Sequence, residues 1–332
     1  MTAVLRTAGD AHPAGTTPAR PLGARILGWF LPVVPEARLA IFRTIIYVFV
    51  LLDIHLLVRD PIPLSRQPEL YAPLMLARIL HLPPPSVTLT YTLYAVLWVS
   101  CLLAAANRLP RVAGYVAAAA FTWWTAIGMS YGKVDHDHLA LVVALWVLPS
   151  AGVIRDRWRS ADRSERSGWP LKCVQIAVVL TYFLSALTKI RSGGWSFVSW
   201  PDSAILTWAI VRRPHGLGQF LLPYPGLLHV MQWFAYLAEL TSLVVLWLRG
   251  RALLLAALFW LGFHVFTAAV LYIHFAPTLV CWLAFAPLER FGPWLRRVRD
   301  RRAVRRGGEG AGGGAPRQSL PVAGDQPIDG RG

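Results

Sequence analysis

Residues 171–195, LKCVQIAVVLTYFLSALTKIRSGGW, set an amine at the end of a long apolar run. At about 1.5 Å of rise per residue, about 20 helical residues cross a hydrocarbon core about 30 Å thick. Lys189 therefore falls in the last turn of a span, just inside the headgroup boundary. Ser185 precedes it by four residues and Tyr182 by seven, so one helix face carries an amine and two hydroxyls, flanked by Val178, Leu184 and Ile190. An ammonium at that depth costs free energy, and ionisable groups inside spans mark proton relays and substrate paths. The plain alternative stays open: a lysine that snorkels to the interface beside a tyrosine of an interfacial belt.

Three further spans hold polar groups that hydrocarbon excludes unless they are partnered. Arg43 lies about a turn inside the first, and Asp53 lies near its outer end. Gln232, Tyr236 and Glu239 follow at i, i+4 and i+7 on one face of a later span, and His264 stands among Trp260, Phe263 and Phe266. Arg43 and Glu239 are a candidate structural ion pair; alternatively each simply faces other helices. The turn Asp135-His136-Asp137-His138 contains metal-ligand residue types. His136 and His138 at i, i+2 do not share a helix face, however, and no HxxxH or HExxH pair is present, so no metal is expected. Asp135 as cap of the following helix, with Asp137 in its first turn, accounts for the acids and leaves the two histidines unexplained. Cys101, Cys173 and Cys281 fall one each in separate spans and read as small core residues.

The elements that must position these groups are membrane helices. Hydrophobic residues make up 55% of the chain and the mean hydropathy is +0.47, too apolar for a soluble domain of this length. Apolar runs fall at about 38–58, 88–106, 111–131, 137–154, 171–190, 227–248, 252–272 and 275–288. The expectation is an all-α, polytopic integral membrane bundle of about eight transmembrane helices, multi-pass in the cell membrane. Alternate connectors that share one side are the N-terminus, the turn with Arg108 and Arg111, the arginine loop within 155–166, the turn with Arg249 and Arg251, and the tail from Arg290. The other side holds 59–87, 132–136, 191–226 and 273–275, with fewer cations. The positive-inside rule then makes both termini cytoplasmic. It sends Lys189, the 135–138 turn and the outer half of the seventh span to the external side, where they can converge. The flanking arginines and anionic lipid explain the formal charge of +16 more simply than nucleic acid, which is not expected as a partner. The 191–226 connector, rich in tryptophan and proline, reads as a cap over the external face or as an ordinary interfacial loop. Residues 1–25 read as a disordered segment without a cleavable signal peptide, and 291–332 as a basic, Gly-rich disordered cytoplasmic tail.

Five blocks carry a family resemblance: LAIFRTIIYVFVLLDIH (39–55), DHDHLALVVALWVLPSAG (135–152), QIAVVLTYFLSALTKIRSGGW (175–195), AEL (238–240) and GFHVFTAAVLYIHFAPTLVCWLAFAP (262–287). In order and spacing the chain resembles the HTTM family, the transmembrane domain related to vitamin K-dependent gamma-glutamyl carboxylase, over about residues 26–290. The resemblance puts Lys189 at the carboxylase's base lysine, His136 at the histidine of its Asn-His-x-Tyr-Leu turn, and His264 at the histidine of its late helix. Here Asp135 stands where the family often has Asn and His138 where it often has Tyr, so either His136 or His138 inherits that role. Tyr182, Ser185, His138, Trp195 and Glu239 are expected to contact substrate, and Arg43 and Asp53 to be structural.

The implied cofactor is a reduced naphthoquinone or similar hydroquinone with dioxygen, and no metal. A neutral lysine amine would deprotonate a hydroquinone arriving from the lipid, with His136 and His264 stabilising oxyanion charge. In the carboxylase, oxygenation then yields a strong base that creates a glutamyl carbanion for CO2 capture. That enzyme also grips its protein substrate with a large extramembrane region, whereas the last span here is followed by a basic, Gly-rich tail. The expectation is therefore quinol oxygenation or epoxidation, or a related proton abstraction on a lipophilic small molecule. Two other classes remain: a non-enzymatic HTTM protein acting in maturation of, or immunity to, a secreted peptide partner, and a small-solute transporter.

Overall fold

The computed structural model describes residues 21–291 and 293, apart from 155, 156, 214 and 215. The expectations for residues 1–20, 292 and 294–332 lie outside the described residues. Twelve α-helices follow in order among them: α1 Leu22–Phe30, α2 Glu36–Leu56, α3 Pro61–Leu64, α4 Met75–Ile79, α5 Val87–Ala105, α6 Pro110–Met129, α7 Leu139–Val147, α8 Glu165–Ser192, α9 Ile205–Val211, α10 Pro225–Thr241, α11 Gly250–Leu271 and α12 Ala276–Cys281. The described residues are all-α apart from one two-residue antiparallel pairing, Val34–Pro35 with Arg163–Ser164.

Among the described residues six helical stretches are long and apolar enough to cross a membrane: Glu36–Leu56, Val87–Ala105, Pro110–Met129, Glu165–Ser192, Pro225–Trp247 and Gly250–Leu271. The two other expected spans are shorter apolar stretches, His136–Ala151 and Ala276–Phe285. Each ends in a 3-10 segment, begun at Leu148 just before Pro149 and at Trp282. Sequence hydropathy cannot see that break, because proline and tight turns are tolerated in apolar runs once neighbours satisfy the backbone.

The core is built where α2, α5, α6, α7 and α8 meet. α2 buries Leu39, Phe42, Ile46, Val50 and Asp53, a 3.6-period stripe, while Val48 and Leu52 on its other side stay exposed. A helix that is apolar on both faces fits a neighbour on one side and lipid on the other. α11 goes furthest: only 17% of its apolar window is buried, against 61% for α6. So large an exposed apolar face marks a membrane protein.

Two glycines set close approaches. A Cβ at Gly168 would lie 1.5 Å from the Pro32 carbonyl oxygen, so α8 can start against the 31–35 segment only as glycine. A Cβ at Gly114 would lie 2.6 Å from both Pro149 Cγ and the Tyr47 hydroxyl, which is how α6 meets α2 and the end of the α7 segment. α8 opens on Ser164, whose side chain accepts from the Ser167 amide, with Glu165 in its first turn. It closes at Gly193 and Gly194, the latter at φ +71. That run of 28 residues carries Tyr182 and Lys189 on one rigid element.

Candidate functional site

Lys189 ends α8 as expected, and its ammonium is compensated. Nζ donates to the Glu239 Oε2 of α10 in an ion pair and to Ser185 Oγ at 3.3 Å, and it lies 4.6 Å over the Trp200 ring. The expected alternative partner for Glu239, Arg43, is elsewhere. Arg43 donates to the Gly152 carbonyl at 2.7 Å and to Asn107 Oδ1, tying α2 to the turns at the opposite end of the bundle from Lys189. The pairing differs from the alternative raised by the sequence because residue depth in separate spans is legible only to within a turn or so.

Lys189 and Glu239 stand at the wall of a cavity of about 710 Å³ between α10, α11 and the connector through α9. Apart from that pair, Gln232 and Thr267, its lining is apolar, with Trp200, Phe234, Phe259, Phe263, Phe266 and Phe275 contributing aromatic faces. The 191–226 connector is thus a cap rather than a loose loop, and Gln232 holds it there. Its Nε2 lies within hydrogen-bond distance of the carbonyls of Trp200, Pro201 and Ser203 at 2.7, 3.0 and 2.8 Å, and its Oε1 accepts from the Leu206 amide at 2.7 Å. One buried amide therefore satisfies a stretch of irregular backbone that hydrocarbon would otherwise penalise.

Tyr182 is the second centre. Its ring stacks on Trp260 at 3.8 Å between centroids, and its hydroxyl lies 2.7 Å from His264 Nε2 and accepts from Trp282 Nε1 at 2.8 Å. An indole N–H can only donate, so the Tyr182 oxygen accepts there; if its own proton goes to His264 Nε2, the imidazole proton lies on Nδ1. Nδ1 is buried and has no hydrogen-bond partner among the described residues. The His264 ring lies 4.7 Å from Phe275, and the exposed His136 ring meets the same Phe275 at 5.9 Å. Lys189 and Phe275 line the cavity, while His136 and His264, both against the Phe275 ring, do not.

The Asp135–His138 turn is built as an ion cluster. His138, buried, places Nδ1 3.1 Å from Asp137 Oδ1 and Nε2 3.1 Å from the fully buried Asp53 Oδ2. An imidazole facing a carboxylate at each nitrogen donates at both. Asp137 therefore binds His138, and Asp135, which makes no side-chain cap, pairs with Lys133, so the capping expectation gives way to charge pairing. Thr278 Oγ1 donates to the Asp137 carbonyl at 2.8 Å and ties α12 to the turn. His138 and Asp53 thus form a structural joint between α2 and the turn, and His136 is the histidine left accessible. Among the described residues no group of three or more His, Cys, Asp or Glu could hold a metal ion.

Trp195, expected at the substrate, is exposed with a left-handed backbone and lies outside the cavity lining; Trp200 takes the place beside the lysine. Trp200, Phe275 and Trp282 are site neighbours that sequence reasoning did not single out. Trp200 had a signal, the tryptophan density of its connector, but Phe275 and Trp282 sit in apolar runs where nothing separates them from packing residues. Comparison with family models, with curated proteins and with solved structures returns no match to this chain.

Proposed function

We propose that the chain is a multi-pass cell-membrane enzyme that draws a lipophilic small molecule from the bilayer into the α10–α11 cavity and removes a proton from its polar end at the Lys189–Glu239 pair. The two shorter apolar stretches count as membrane segments in this reading, which makes eight, with both termini cytoplasmic. The observation that carries it is an otherwise apolar, aromatic cavity with one cation–carboxylate pair at its wall, beneath a helix whose outer face is almost wholly exposed.

The cavity's residues fit a reduced naphthoquinone or similar hydroquinone: flat aromatic walls for the ring and tail, and a proton-handling pair for a hydroxyl. Bound there, such a hydroquinone supplies the electrons for its own reaction with dioxygen. The protein's part is to orient it, exclude water and move the proton. An ammonium takes up no further proton, so the proton that leaves the substrate hydroxyl ends on the Glu239 carboxylate, either directly or through Lys189 Nζ, which passes one of its own protons to Oε2 as it receives the new one. With the Tyr182 hydroxyl donating to Nε2, the Nδ1–H of His264 is a donor for developing negative charge beside Phe275, and His136 meets the same ring. The similarity of the sequence blocks to the carboxylase-related family supports the same assignment.

The ion pair favours a second reading. A compensated lysine is also what a structural joint requires, as in a non-catalytic membrane protein serving a secreted peptide. Purified protein given a reduced naphthoquinone and oxygen separates the two: epoxide formation above the protein-free rate is expected, and no epoxide with any short- or long-tailed naphthoquinol would leave the structural reading in place.

A further inference from the structure

A second group of cations meets at the other end of α8. Lys172 lies 17 residues before Lys189, about 25 Å along the helix axis, and so belongs to the opposite edge of the bundle. Its Nζ sits 4.5 Å over the ring of Trp29, which stacks on Trp247 at 5.9 Å between centroids and 24° between planes. Arg249 lies two residues beyond Trp247, on the turn that opens α11. Arg25 lies one turn before Trp29 on the same face of α1. Among the described residues none of Lys172, Arg249 and Arg25 is ion-paired to a carboxylate. α11 also opens beside Arg249 without a side-chain cap, leaving its first backbone N–H groups directed outward.

Cations drawn to one place repel one another unless an anion lies between them, and the N-terminal end of a helix adds to the positive potential. A pair of stacked indoles beside them is the arrangement found at a bilayer boundary, where one side of each ring is wet and the other apolar. We infer that Lys172, seated on the stacked Trp29 and Trp247, together with Arg249 just beyond Trp247 and Arg25 one turn before Trp29, forms a binding site for a phosphate group, of the kind carried by the headgroup of an anionic lipid. The site is separate from the α10–α11 cavity and does not depend on the activity proposed for it. It pins the amphipathic α1 to the start of α8 and to the turn before α11.

The test is retention of phospholipid by the purified full-length chain, read by native mass spectrometry after equilibration in detergent with dioleoyl phosphatidylglycerol, with dioleoyl phosphatidylcholine, or with sodium phosphate alone. The wild type is expected to retain phosphatidylglycerol about tenfold more strongly than the double variant Lys172→Gln, Arg249→Gln, while phosphatidylcholine is held equally by both. Lys172→Arg, which keeps the charge, and Arg108→Gln, which removes an exposed cation elsewhere, should bind as the wild type does. If sodium phosphate displaces the lipid and raises the melting temperature of the wild type alone, the phosphate site stands and its natural ligand is soluble. Should the double variant not purify as a monodisperse species, Lys172→Gln alone decides the matter. Phosphatidylglycerol retained equally by wild type and variant, or lost to the same degree by Arg108→Gln, would overturn the assignment.

Discussion

Lys189 and Glu239 compensate each other, and that governs what happens when either is changed. Their side chains keep only 18% and 10% exposure, so removing one partner leaves the other charge poorly solvated. Lys189→Ala is expected to lower stability by about 2 kcal/mol, less than the value for a fully buried pair because both groups touch the cavity. The double variant Lys189→Gln, Glu239→Gln should recover most of that loss, since neither amide demands a counter-charge. Thermal melts in detergent check it, and equal losses in the single and double variants would mean that the pair is not the interaction that matters. The sequence made the lysine legible because a charge in a hydrophobic run costs free energy, although spacing alone could not separate a snorkelling lysine from a paired one. It also placed Glu239 on the right face with Gln232 and Tyr236, yet it left the identity of the partner open, since no spacing rule reaches across separate helices. The histidines behaved differently. Two in one turn looked equivalent, and only their surroundings, two carboxylates for His138 and an aromatic ring for His136, divide them into a buried joint and an exposed side chain.

At the scale of elements, the cap and the cavity depend on two residues of opposite character. Gln232 holds the connector through four backbone groups, and Gln232→Leu would leave them with no partner in an apolar setting, at about 1–3 kcal/mol for each group that finds no substitute. Hydrogen exchange should then rise sharply over 200–206 while the helices keep their protection; unchanged exchange there would show that the connector is held by its own turns. Gly262 lines the cavity, and a Cβ added to it meets nothing within 4 Å. Gly262→Phe should therefore fill the cavity at little cost in melting temperature, helped by the better helix propensity of phenylalanine than of glycine, and abolish turnover of a large quinol. A variant that stays fully active would place the substrate elsewhere. Helix positions were legible from hydropathy, and the long ones agree with the expected runs to within a few residues for α2, α5, α6 and α11. The short ones were not, because an apolar run of 10–17 residues ending in Pro149 or in the turn after Cys281 looks the same in composition as a span. Nor could composition show that the connector folds back, since that depends on one glutamine finding three carbonyls.

For the molecule as a whole, the distribution of burial is what makes the account hang together. The densest packing is around α2, α6, α7 and α8, and it carries the structural joints of Arg43, Asp53 and His138. α10 and α11 stand at the edge, where the cavity lies between them and the outward faces are apolar. A rigid half and a lipid-exposed half suit a protein that receives its ligand from the bilayer, with the phosphate site at one edge and Lys189 toward the other. The central claim is that the Lys189–Glu239 pair takes a proton from a lipophilic substrate in that cavity. It is tested most directly by the rate of epoxide formation from a reduced naphthoquinone and oxygen, compared between wild type and Lys189→Ala preparations of matched helix content. Loss of a proton-transfer group predicts a fall of about 10²–10⁴-fold, and a variant that forms epoxide at the wild-type rate would contradict the assignment.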